Sequence, residues 1–342
     1  MGSDKKLVLC DFWYADELPA LTVPFEPYAR ERLGHWAVPF LKIPPLRAMA
    51  LLWLGRKFDA VAPNWYRGGR FACFLQSLTG RKCLILLECI DYGVEAKGPL
   101  TRFLYRILFQ PFMGAALRRS VAGLQVLTCR ERDLFKTRYG LSAQAITLIT
   151  WPLKGWLKPQ AAVKPAQGYY VFSSGRSACD WETLFKAAEI GGWALKIACS
   201  TKDLGLVKAL NARGTVDVQC EVSLAEHDAY VAGAQLYVLC LQEQYKSSGQ
   251  VRLAACIEAG VPVVASDVRG LEGYLVDGVS AAVVPPKNPE ALAKRVAALL
   301  ADPEARADLT RRAREYADGY TRADYFRAVE GFVRDALARA EP

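Results

Sequence analysis

The sequence predicts an α/β protein built from two doubly wound parallel sheets. Three observations carry that reading. Apolar runs of strand length alternate with helical segments along the 342 residues, a proline-rich break interrupts the alternation once, and the alternation then restarts. Strands buried on both faces of a parallel sheet read as continuous apolar runs, because neither face meets water. Strand and helix in turn imply that architecture.

In the N-terminal half, "KLVLCDFW" is the first strand. A helix follows near 45–56, then "FDAVAP", a helix from Gly69 through Leu78, and "KCLILLEC". A long helical region over 99–119, the strand "AGLQVLT", a helix from Arg130 to Tyr139 and "AITLIT" complete it. The stretch "WPLKGWLKPQAAVKPAQG" has three prolines and no amphipathic period, so residues 153–168 read as a linker between domains over 1–152 and 169–317. Beyond it come "YYVFSSG", a helix over 180–190, "ALKIACS", a helix near 203–212 and "VDVQC". A helix over 224–233, "QLYVLCL", a helix over 250–259 and "VPVVAS" follow, and the chain from Asn288 onward is helical, with Asp-Pro as a start signal.

Composition narrows the class. Hydrophobic residues make up 52% and charged residues 23%, a balance that excludes disorder. No apolar run approaches the roughly 20 residues of a membrane-spanning helix, and the N-terminus lacks a signal-peptide core, so a cytoplasmic protein is expected. The ten cysteines include no CxxC pair and sit mostly in apolar runs, as small hydrophobes do. With only His35 and His227 available, a multi-histidine metal site is disfavoured. Charge is uneven: residues 1–150 hold 21 Lys/Arg against 12 Asp/Glu, whereas 151–342 hold 23 against 23. The first half therefore suits an anionic partner or surface.

In open α/β sheets, ligands sit beyond the carboxyl ends of the strands, where helix N-termini present free N–H groups. Two loops of the second half fit. After "LYVLCL" comes "QEQYKSSGQ", where Gly249 permits close approach, Ser247 and Ser248 offer hydroxyls and Lys246 a charge. After "YYVFSSG", Gly175 permits approach, Arg176 can grip phosphate oxygens in bidentate fashion, and Asp180 is placed to cap the following helix. Neither loop matches GxGxxG or GxxxxGK[ST], which disfavours dinucleotide oxidoreductases and P-loop NTPases.

The stretch "GQVRLAACIEAGVPVVASDVRGLEGYLVDGVSAAVVPPKNPEALAKRV" resembles the donor-binding region of GT-B glycosyltransferases, particularly glycosyltransferase family 4. The resemblance is specific over about 169–300 and diffuse earlier, where it is strongest at "LQVLTCRERDLFKTRYGL". It implies two Rossmann-like domains facing across a cleft, with a nucleotide-diphosphate sugar, UDP or GDP above others, held by the second domain. It also implies no metal or other cofactor, in keeping with the lack of D-x-D. A final helix over about 318–342 would pack back onto the first domain.

Residue by residue, Arg176 matches the arginine of the family's "G-R" loop, and the basic residue usually found a few positions later is absent. The family's Glu-x7-Glu pair falls on Ser247 and Ala255, so both glutamates are missing; Lys246, Ser248 and Gln250 stand near as replacements. Glu272 matches the acidic position near the donor. Loss of the pair leaves inverting transfer open, and that needs a general base near the acceptor hydroxyl. Asp91, in the loop after "KCLILLEC", is the first candidate, Glu88 the second and His35 a weaker third.

On the acceptor side, "NWYRGGRF" offers Arg67, Arg70 and the Gly68–Gly69 amides to an acceptor phosphate. "LTRFLYRILFQPFMGAALRRS" interleaves Arg102 and Arg106 with apolar residues and adds Arg118 and Arg119, a composition suited to an anionic membrane surface. The expectation is a hexosyltransferase-like enzyme on the inner face of a membrane, with a lipid-linked or glycan acceptor, in polysaccharide, glycolipid or lipid-linked oligosaccharide assembly. No nucleic-acid motif is present. A sugar-nucleotide epimerase-like enzyme on the same fold, or a non-catalytic nucleotide-sugar-binding partner, are the alternatives.

Overall fold

The computed structural model describes residues 7–90, 98–155, 165–243 and 247–340. The chain forms two compact units, Met1–Thr150 with Tyr325–Pro342, and Trp151–Asp324.

In the first unit, β1 (Val8–Cys10), β2 (Thr22–Pro24), β3 (Ala60–Ala62), β4 (Leu84–Leu86), β5 (Val121–Val126) and β6 (Ile146–Leu148) form one sheet in the order β2-β1-β3-β4-β5-β6. Every pairing is parallel. Helices α1 (Phe25–Leu33), α2 (Pro44–Gly55), α3 (Arg70–Ser77), α4 (Pro99–Leu104), α5 (Gln110–Ser120) and α6 (Cys129–Tyr139) connect the strands, with a π-helical turn at Tyr105–Phe109 joining α4 to α5. Local signals set the ends of α6: the Thr128 side chain accepts from the Glu131 N–H, and Gly140 closes the helix at φ 67°. The core gathers Phe25, Leu51, Trp65, Leu84 and Phe135 between sheet and helices.

The second unit repeats the plan with β7 (Val171–Gly175), β8 (Leu195–Cys199), β9 (Asp217–Cys220), β10 (Leu236–Leu239), β11 (Val263–Ser266) and β12 (Ala282–Val284), ordered β12-β11-β10-β7-β8-β9 and again all parallel. Its helices are α7 (Trp181–Gly191), α8 (Leu204–Leu210), α9 (Leu224–Gly233), α10 (Gln250–Ala259), α11 (Pro289–Ala301) and α12 (Pro303–Ala317). Side chains cap most of them: Asp180 for α7, a Ser223/Glu226 capping box for α9, Asn288 for α11 and Asp302 for α12. Among the described residues no side chain caps α8 or α10, and α10 is set apart by Gly249 at φ 98° ahead of it. Strand order reverses between β7 and β10, so the ligand-prone switch point lies at their carboxyl ends.

The last helix, α13 (Arg322–Arg339), begins in the second unit and from Tyr325 onward belongs to the first. Gly123 in β5 makes room for it: a Cβ there would stand 2.8 Å from Ala336 Cβ and 3.0 Å from a Phe332 ring carbon. Just before α13, the Leu153 N–H donates to Tyr320 O at 2.8 Å and the Arg322 N–H to Lys154 O at 2.8 Å. Residues 153–155, expected as linker from their composition, are thus tied to the second unit, and Leu153 is fully buried. Among the described residues, no helix is long and apolar enough to cross a membrane.

Candidate functional site

At the switch point of the second unit, the β7 backbone turns out of the sheet at Gly175. A side chain at this position would overlap the Cys179 Sγ and the Arg252 guanidinium. Arg252 reaches in from α10 and donates to Ser174 O, with its Nη1 also 3.4 Å from the Cys179 Sγ. Ser174 Oγ lies 2.8 Å from His227 Nε2 and 2.9 Å from the Tyr237 hydroxyl. Burial pushes the His227 imidazole below its usual range and the Tyr237 phenol up to about 12, so both are neutral at pH 7. This polar layer fixes the loop from beneath.

Above it, Arg176 is largely exposed, and its guanidinium lies 3.5 Å from the Glu221 carboxylate at the end of β9. Glu221, at φ 51°, accepts from the Thr201 N–H at 2.8 Å and the Thr201 hydroxyl at 2.9 Å, and these bonds hold its carboxyl below the usual range. Three adjacent strand ends therefore contribute to one polar edge, with the exposed Arg176 as its cation.

The loop before α10 supplies the other half. Ser247 is buried, and the Ser248 N–H donates to Gly270 O at 3.3 Å. The Ser248 hydroxyl oxygen is itself buried and has no hydrogen-bond partner among the described residues. Gln250 is also buried, its Nε2 donating to Gly270 O at 2.6 Å, so this side chain braces the turn at Arg269–Leu271. Glu272 is exposed just past that turn. Gly249 sits against Leu239, Leu241 and Leu271, where a Cβ would come within 2.9 Å of the Leu241 side chain. An uncapped helix start beside an unsatisfied buried hydroxyl is suited to an anion. Lys246 lies outside the described residues.

In the first unit, Glu88 ends β4 with φ 46° and is buried. Its N–H donates to Gln125 Oε1 at 2.7 Å, and Tyr325 of α13 donates its hydroxyl to Glu88 Oε1 at 2.7 Å. Burial raises the Glu88 carboxyl to about 7 although hydrogen bonds from Tyr325 and Trp13 pull the other way. A carboxyl that titrates near neutrality at a parallel strand end is a candidate acid–base group. Asp91 lies outside the described residues, and His35 is exposed in the 3-10 turn His35–Ala37.

Beside β1, Asp11 is paired with the buried Arg47, whose Nε stands 2.7 Å from Asp11 Oδ2 and whose Nη2 reaches Glu26 at 2.8 Å. Arg67 closes the cluster at 3.1 Å from Glu26. Its charge is thus already met by a carboxylate, and Arg70 instead lies over the Trp65 ring at 5.0 Å. The Gly69 amide, expected to face a phosphate, donates to Asn64 O at 2.8 Å. A Cβ on Gly68, at φ 127°, would stand 2.6 Å from Pro44 O, so close backbone packing explains these glycines. Arg118 is exposed and its Nη1 donates to Tyr139 O at 2.6 Å at the end of α6, where Tyr105 of the π-helical turn also meets the Tyr139 hydroxyl at 2.9 Å; Arg119 is exposed.

Arg252, Thr201, Glu221 and the Asp11–Arg47 pair were not picked out by the sequence. Thr201 and Glu221 each lie just past the end of a strand, which is a usable signal. All ten cysteines are free thiols.

Residues 203–316 match the family model described as glycosyl transferases group 1. That region runs from the start of α8 through α12 and includes the Ser-Gly loop, whereas Gly175 and Arg176 precede it. No curated protein matches the chain. Among solved structures, sucrose-phosphate synthase from Thermosynechococcus elongatus is 18% identical at a TM-score of 0.66, covering 88% of this chain and 80% of its own. HepE from Anabaena, in complex with UDP, is 13% identical at a TM-score of 0.63, with 85% and 82% covered. A glycosyltransferase from Rickettsia africae is 10% identical at 0.59, with 96% and 89% covered. At such identities the shared property is the fold, two Rossmann-like domains of the GT-B class.

Proposed function

We propose that the protein transfers a sugar from a nucleotide-diphosphate sugar to an acceptor hydroxyl. The observation that carries this reading is the buried Ser248 hydroxyl, unpartnered among the described residues, beside the start of α10 and inside the region that matches the group 1 glycosyltransferase model. The α10 amides and Ser248 hold one donor phosphate, Arg176 swings from Glu221 to the other, and Glu272 faces the sugar side. Lys246, Ser247 and Gly249 belong to the same loop, with Gly249 keeping its backbone close to the ligand. UDP or GDP is the nucleotide; the Anabaena protein in the comparison is seen with UDP and with UDP-glucose.

Transfer inverts in this reading, because Ser247 and Ala255 stand where the family's two glutamates would be, and it needs no metal, in keeping with the lack of D-x-D. A carboxylate at the end of β4 takes the acceptor proton: Asp91, or Glu88 with its pKa of about 7. Acceptor binding falls to the first unit, and the acceptor is a lipid-linked or glycan hydroxyl at an anionic membrane surface.

Calorimetry with UDP, GDP, ADP and dTDP tests the donor site. One nucleotide should bind in the micromolar range and bind about tenfold more weakly to Arg176→Ala, the loss expected for a charge-assisted phosphate contact. Failure of all four to bind would overturn the reading.

A further inference from the structure

The face formed by α2, α3 and the α4–α5 helix carries more apolar surface than folding uses. On α2, Leu46, Met49 and Trp53 point outward while Ala48, Leu51 and Leu54 are buried. On α3, Phe71, Phe74 and Leu78 point outward while Ala72 and Cys73 are buried. Both sets recur at i, i+3 and i+7, so each is a continuous helical stripe. α4 and the π-helical turn after it bury none of their residues, and Leu100, Phe103, Ile107 and Leu108 are all more than half exposed. α3 packs against both α2 and α5, and the α4 segment runs directly into α5, so the helices that carry the three stripes belong to one packed layer.

Along α2, α3 and the helix from α4 through α5 the charges have one sign. Asp59 is the only acidic residue between Arg32 and Leu87, and none occurs between Gly98 and Arg130. Arg56 and Lys57 end α2, and Arg102 and Arg106 interleave with the exposed side chains of the α4 segment. Exposed aromatic and aliphatic stripes of this size are rare on monomers that touch only water. Interleaved arginines with no carboxylates disfavour self-association, which would bring like charges together, and complement phosphate headgroups.

We infer that this face is a monotopic docking surface for an anionic lipid bilayer, with the α4 segment lying in the headgroup layer and α2 and α3 resting on it. The inference does not depend on which nucleotide the second unit binds.

Co-sedimentation of the full chain with phosphatidylcholine vesicles, with and without phosphatidylglycerol, tests it. The protein should bind the anionic vesicles, release with salt, and lose about tenfold or more of its partitioning in the Phe103→Ser/Ile107→Ser double variant, since two apolar anchors are removed. Both side chains are exposed, so circular dichroism should be unchanged, and Leu224→Ser, an exposed apolar site on the second unit, should bind like the parent. Absence of binding to anionic vesicles, or equal binding by parent and double variant, would overturn the assignment. Sedimentation velocity showing a dimer abolished by the double variant, without vesicle binding, would give the face to a second copy of the chain. Nucleotide binding, read separately by calorimetry, stands or falls on its own.

Discussion

The Tyr325 hydroxyl donates to Glu88 Oε1 at 2.7 Å, joining a residue of α13 to the end of β4. Gln125 completes the enclosure by accepting the Glu88 N–H and placing its own Nε2 3.4 Å from the Tyr325 oxygen. A carboxyl in this enclosure holds its proton far longer than one in water, up to a pH of about 7.

That shift fixes a stability profile. The folded pKa lies above the reference value of 4.5, so the folded state binds the extra proton between the two values. Its contribution is fully present below the lower value and is lost as pH rises through the upper one, a decline of roughly 3 kcal/mol if the whole shift is expressed. Urea titrations across that interval should show stability falling with pH more steeply in the parent than in Glu88→Gln. An identical slope in both would remove Glu88 as its source.

The same group makes the rate profile diagnostic. A general base must be ionised, so transfer should rise with pH through about 7 if Glu88 is the base. Tyr325→Phe removes a donor that favours the ionised form, and the inflection should move to higher pH. Glu88→Gln should then abolish transfer with nucleotide affinity unchanged; if Asp91→Asn does so while Glu88→Gln keeps full rate, the base is Asp91.

Gly175→Ala asks whether the β7 exit is built around Arg252. The added methyl would collide with the Cys179 Sγ and the Arg252 guanidinium, so a loss of about 1–3 kcal/mol in urea stability is expected. Weakened nucleotide binding should accompany it. A neutral effect would mean that Arg252 moves aside at no cost.

Arg47→Met leaves Asp11 buried without its partner, and removal of one member of such a pair typically costs about 3–5 kcal/mol. The Asp11→Asn/Arg47→Met double variant should recover part of that loss. Additive losses in the double-mutant cycle would exclude coupling.

Transfer in the presence of EDTA should equal transfer without it. Loss of activity restored by added magnesium or manganese would reverse the metal-independent reading.

Much of the fold was legible because buried parallel strands such as "YVFSS" and "LYVLCL" must be apolar throughout, and that pattern is local. The edge strand β2 escaped notice, since three residues ending in proline carry little periodicity. Individual side chains were harder to read. Gly175 was visible as a special position, but the reason includes Arg252, which comes from another helix. Arg118 read as a surface charge, but its carbonyl partner at Tyr139 is remote in sequence. Arg47, within "PPLRAMALL", shows no sign of the carboxylate it meets across the unit. Spacing reports which face a residue occupies, and the identity of its partner is set by tertiary packing.

Helix α13 imposes an order on assembly. The ribosome delivers β1 through β6 first, yet the side chains that cover Gly123 and close over Glu88 arrive only after the whole second unit has been made. Until then the nascent first unit exposes an apolar seam at β5 and an ionisable carboxyl open to water. Its native state during synthesis is thus provisional, and the last helix acts as the latch that ends the vulnerable interval.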